Sequence, residues 1–103
     1  MRDNLHGEKD ILVAFIYGSY AQNRETISSD IDLFVVGEIP SKDLHKLIRK
    51  AQGISGREIN YALYTPEEFT RKVQTKDHFI SEVLDSAKIF IKGSESDLQK
   101  IAR

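Results

Sequence analysis

The residues best suited to chemistry lie in one stretch, with Gly18-Ser19 followed ten residues later by Asp30-Ile31-Asp32. Gly18-Ser19 comes directly after an apolar run, Ile11 to Tyr17. A helix opening at that point would aim backbone N–H groups and a small hydroxyl at one spot, where an anion can be held. Asp30 and Asp32 are two residues apart at the head of another apolar run, Leu33-Phe34-Val35-Val36. On a strand both side chains leave the same face, ~7 Å apart at ~3.3 Å per residue. Two carboxylates in an apolar setting repel each other, and a divalent cation relieves the repulsion. Mg²⁺ favours oxygen ligands and is commonly held by a few carboxylates together with substrate phosphates. Each half alone has a bland reading, a turn for Gly-Ser and a loop for Ser28-Ser29-Asp30. Together they describe a site for a metal-bound phosphate.

The surrounding elements must bring these residues together. Ile11 to Tyr17 has the uninterrupted, partly β-branched character of a central strand covered on both faces. Ile31 to Val36, closed by Gly37, predicts a second strand, and Glu58 to Tyr64 a third. Between the latter two, Leu44, Leu47, Ile48 and Ala51 fall at i, i+3, i+4 and i+7, the stripe of an amphipathic helix with Ser41 as N-cap and Gly53 as its end. Thr65-Pro66-Glu67-Glu68 carries a capping residue, a proline at the first helical position and a glutamate three residues past the cap. A helix from about Asp77 is expected to bury Phe79, Ile80, Val83 and Leu84, and Lys88 to Lys92 reads as a short edge strand with flanking lysines. Leu98 and Ile101 belong to a last short helix. The class is α/β, a layered α+β sheet of about four strands flanked by helices.

The 103 residues predict one domain over 1–103, with its core within 11–93. A formal charge of −1, from 15 basic and 16 acidic residues, gives no basic excess for generic nucleic-acid binding. No apolar stretch approaches the ~20 residues of a membrane span, and the start Met1-Arg2-Asp3-Asn4 has no apolar signal region, so a cytoplasmic location is expected. The absence of cysteine excludes disulfides and thiolate metal sites. His6, His45 and His78 show no metal-ligand spacing, and Tyr61, Tyr64 and Phe69 are expected to be packing residues.

The Gly-Ser pair followed by Asp-Ile-Asp on an apolar strand resembles the signature of the DNA polymerase β-type nucleotidyltransferase superfamily, and of its minimal members above all. The likeness continues through Gly56 to Tyr61, Thr65 to Phe69, His78-Phe79 and Lys88 to Gly93, as in a prokaryotic subgroup of small nucleotidyltransferase-domain proteins. It implies a nucleotidyltransferase fold with a mixed sheet. It also implies that Gly18 and Ser19 contact a nucleoside triphosphate, ATP being the first choice, and that Asp30 and Asp32 hold Mg²⁺ or Mn²⁺. The superfamily often has Arg-Gly where this chain has Gln22-Asn23, which leaves Arg24 as the cation able to compensate. It usually has a third aspartate where this chain has Asn60, which makes Glu58, on the same strand face, the candidate third catalytic carboxylate. The implied reaction moves a nucleoside monophosphate to a hydroxyl acceptor. One small domain offers little surface for an acceptor, so a partner protein or a second copy in a homo-oligomer is expected. Two alternatives remain: an antitoxin-like partner of a HEPN-type toxin, and a catalytically weak nucleotide-binding regulatory module.

Overall fold

The computed structural model describes residues 10–18 and 30–102. Four strands, β1 (Ile11–Tyr17), β2 (Ile31–Gly37), β3 (Ile59–Tyr64) and β4 (Lys88–Lys92), form one sheet in the order β3-β2-β1-β4. The sheet is mixed: β1 is antiparallel to both β2 and β4, whereas β2 and β3 run parallel. A parallel pair needs a long crossover, supplied here by α1 (Ser41–Ser55). Three shorter helices follow β3 in the chain: α2 (Pro66–Gln74), α3 (His78–Asp85) and α4 (Glu95–Ala102).

The central strands β1 and β2 are apolar on both faces because both faces are covered. Leu44, Ile48 and Ala51 of α1 pack on Ala14, Ile16, Leu33 and Val35. Phe69 of α2, Ile80 and Val83 of α3 and Leu98 of α4 pack on Val13, Phe15, Phe34 and Val36. β4 is an edge strand as its lysines suggest, and β3 is the other edge.

Local signals hold where the chemistry is specific. Thr65 caps α2 through a full capping box, its hydroxyl accepting from Glu68 N at 3.1 Å while the Glu68 carboxylate accepts from Thr65 N at 2.9 Å. Asp77 caps α3 by accepting from Ile80 N at 3.1 Å. The ends of α1 differ from expectation. Its N-cap is Pro40 and Ser41 is already helical, and the helix passes through Gly53 to close at Gly56, which takes the left-handed conformation at φ +71°. The Gly53 position is exposed, so its missing side chain weakens the helix without stopping it. Strand β3 begins one residue later than expected, after Glu58.

Candidate functional site

Register builds the site. In β2, Asp32 alternates with Phe34 and Val36 and so faces the side covered by α2, α3 and α4. It lies opposite Tyr17 of β1 on one side and Asn60 of β3 on the other. Buried Phe34 and Val36 continue this face under the helices, whereas Asp32 is half-buried at its open end. Asp30, one residue before β2, is exposed, and its Oδ2 accepts a long contact from Asn60 Nδ2 at 3.4 Å.

Gly18 turns the chain out of β1 with φ +78°, and a Cβ placed on it would lie 3.2 Å from Asp32 Oδ2. Glycine therefore meets two demands at once, a left-handed backbone and close passage of that backbone over a carboxylate. The turn and the acidic pair, which the sequence sets apart, are thus brought into contact at Gly18 and Asp32. Ser19 and Arg24 lie outside the described residues.

Asn60 occupies the β3 position beside the aspartates where a third acid was expected on resemblance. Glu58 precedes β3 and is exposed, with its carbonyl accepting from Ile31 N at 2.9 Å. Among the described residues no three acidic or histidine side chains gather closely enough to hold an ion together. The described donors are thus the carboxylates of Asp30 and Asp32 with the Asn60 amide at their edge. These are hard oxygen donors that leave most of an octahedral sphere open, which fits Mg²⁺ bound jointly with phosphate oxygens.

Two aromatic residues complete the rim. Tyr17 meets Phe34 edge-on at 6.4 Å and 79°, and Phe79 of α3 at 6.3 Å and 74°. The Tyr17 phenol is held above its ordinary pKa, chiefly by burial and then by the negative charge of Asp32 and by Tyr64. Phe79, expected to be buried, is instead 37% exposed. As the second residue of α3 it lies past the end of the packed face, while Ile80 and Val83 of the same helix point into the core. Neither Tyr17 nor Phe79 stood out in the sequence. No local signal marks the exposure of Phe79, which depends on how far the core extends beneath α3.

The chain matches the family model described as a nucleotidyltransferase domain over residues 4–92. Among solved structures, a toxin–antitoxin crystallised with AMP-PNP is similar at TM-score 0.64 and 20% identity, covering 98% of this chain and 73% of that one. A mutant of the MntA–HpeT toxin–antitoxin follows at 0.62 and 18%, with 98% and 73% covered. The tri-AMPylated Shewanella oneidensis HEPN toxin in complex with MNT antitoxin is similar at 0.57 and 18%, with 99% and 71% covered. Among curated proteins, no sequence matches the chain significantly. No described helix is long and apolar enough to cross a membrane.

Proposed function

The chain belongs to the nucleotidyltransferase domain family, and from that premise we propose that it transfers a nucleoside monophosphate from a nucleoside triphosphate, ATP first, to a hydroxyl on another protein. The observation that carries this reading is the contact of the Gly18 turn with Asp32, in register beside Asn60 and next to Asp30.

In this reading the backbone N–H groups at Gly18 and Ser19 bind the triphosphate. Arg24 supplies positive charge to the phosphates. Asp30 and Asp32 would hold Mg²⁺, which when bound would neutralise phosphate charge and polarise the phosphorus under attack. The acceptor oxygen attacks the α-phosphorus, the bond to the bridging oxygen breaks, and pyrophosphate leaves. Asn60 cannot accept the acceptor's proton, since an amide is not a base at neutral pH. Glu58 is the nearest carboxylate along the chain able to take it.

A second reading concerns the acceptor. The similar structures are toxin–antitoxin assemblies, one of them with an AMPylated HEPN toxin. This supports an antitoxin role in which the acceptor is a toxin partner, neutralised by modification or by binding alone.

The test is incubation of the purified chain with α-labelled ATP, Mg²⁺ and cell lysate. Label is expected on a protein, and Asp30→Asn with Asp32→Asn is expected to abolish it. Unchanged labelling by that double variant would exclude the assignment. Labelling that is absent from the native chain but restored by Asn60→Asp would favour the non-catalytic regulatory module.

A further inference from the structure

The geometry points to the exposed ring of Phe79, braced by Tyr17, as the surface on which the base of the bound nucleotide stacks. This rests on the nucleotide-binding reading above and adds to it the residue that grips the base. Of the four apolar side chains on α3, Ile80 and Val83 are buried and Leu84 is half-buried, whereas the Phe79 ring is left 37% exposed. Its position is what gives that exposure meaning. Phe79 stands edge-on to Tyr17, Tyr17 lies opposite Asp32, and the Gly18 turn passes over the Asp32 carboxylate. Ring, acid and turn therefore form one continuous surface at the open end of the sheet. A nucleotide whose phosphates sit at the turn and the acids must extend its sugar and base away from them, and Phe79 is the apolar ring bordering that site.

The ring is also held firmly enough to serve. Phe34, fully buried, lies 6.3 Å from Phe79 and 6.4 Å from Tyr17, so the pair is backed by the core. A fixed ring stacks without first losing rotamer freedom, which favours binding. Stacking relies on the flat face that every base presents, so this surface grips adenine and guanine alike, and pyrimidines less because they offer less area. Stacking on Phe79 makes no hydrogen bond to a base edge, so selectivity for size without selectivity for identity is the signature expected of the ring itself.

The experiment compares equilibrium binding of ATP and of inorganic tripolyphosphate, both with Mg²⁺, to the native chain and to Phe79→Ala, Phe79→Leu and Phe79→Tyr. Phe79→Ala is expected to weaken ATP by about tenfold, within the range of base–aromatic stacking, while leaving tripolyphosphate unchanged. Phe79→Leu keeps an apolar side chain without a ring and should lose almost as much, and Phe79→Tyr should retain native affinity. Melting of each variant, followed by circular dichroism, identifies any that fails to fold. Equal affinity of the native chain and the folded Phe79→Leu variant for ATP would overturn the proposal. If tripolyphosphate binds but ATP affinity ignores the ring, the phosphate site stands and the base lies elsewhere. If neither ligand binds the native chain, the nucleotide reading itself fails.

Discussion

The two faces of the sheet are built from different side chains. Under α1 the core is aliphatic, with Ile11, Ile16, Leu33, Val35, Leu44 and Ile48 interdigitating beneath one helix of 15 residues. On the opposite face the largest fully buried side chains are Phe15, Phe34 and Phe69, with Tyr17, Tyr64 and Phe90 at the margins, beneath helices of nine, eight and eight residues. At the margin of the ring-packed face, aromatic residues remain partly exposed, and the Tyr17 and Tyr64 hydroxyls can then reach water. The aromatic face is the one that continues into Asp32 and Asn60. The candidate site is therefore the open end of a ring-packed layer.

The largest effect that would sharpen this comparison is expected at Phe34, which packs against Phe15, Tyr17, Tyr64, Phe69 and Phe79. Phe34→Ala should cost about 3–5 kcal/mol by urea unfolding. At its neighbour Leu33, equally buried on the aliphatic face, Leu33→Ala should cost about 2–5 kcal/mol, less than Phe34→Ala because fewer buried atoms are removed. A larger loss at Leu33 than at Phe34 would contradict the expectation that emptying the aromatic face costs more than emptying the aliphatic one. Next is a contrast of two glycines with positive φ. Gly56 has open space around it, and Gly56→Ala should cost ~1 kcal/mol from backbone strain alone. Gly18→Ala should cost ~2 kcal/mol, because the new methyl also meets the Asp32 carboxylate. Asp32→Ala in the same chain should recover part of that excess, which a double-mutant cycle reads directly.

Smaller effects on stability are expected at the site itself. Asp32→Asn should change stability by less than ~0.5 kcal/mol while removing transfer, the pattern of a residue kept for chemistry. Asn60→Asp adds a third carboxylate to the pair, at the position now 3.4 Å from Asp30 Oδ2, so it should tighten Mg²⁺ binding and slightly lower the melting temperature without metal. The smallest concerns pH. Glu68 is held below its ordinary pKa of 4.5, chiefly by its hydrogen bonds with the backbone and side chain of Thr65 and then by Arg71 and Lys72. Its depressed folded pKa means that its contribution is present above the unfolded value and is lost as pH falls below it. Glu68→Gln should therefore reduce the drop in melting temperature between pH 7 and pH 3.

Much of this architecture was legible because the elements carry period and punctuation in the chain. The apolar runs of β1 and β2 and the Thr65–Glu68 capping box needed no tertiary context. The end of α1 did, since Gly53 and Gly56 are equivalent as letters and only the fold decides which becomes left-handed. At the candidate site, the two-residue spacing of Asp30 and Asp32 is plain in the sequence. The contact of Gly18 with Asp32 and that of Asn60 with Asp30 depend on strand register, which no local pattern encodes. Phe79 was misjudged because helical spacing shows which side of α3 is apolar and not how far the core extends beneath it.

The most direct test is calorimetric titration of the non-hydrolysable triphosphate AMP-PNP into the native chain and into Asp32→Asn, each with Mg²⁺ and with EDTA. The predicted result is binding that requires Mg²⁺ in the native chain and disappears in Asp32→Asn, with the two melting temperatures within about 4 °C of each other, as a stability change below ~0.5 kcal/mol implies. Binding of equal strength with and without Mg²⁺, or undiminished in Asp32→Asn, would contradict a site built from the Gly18 turn and the aspartate pair.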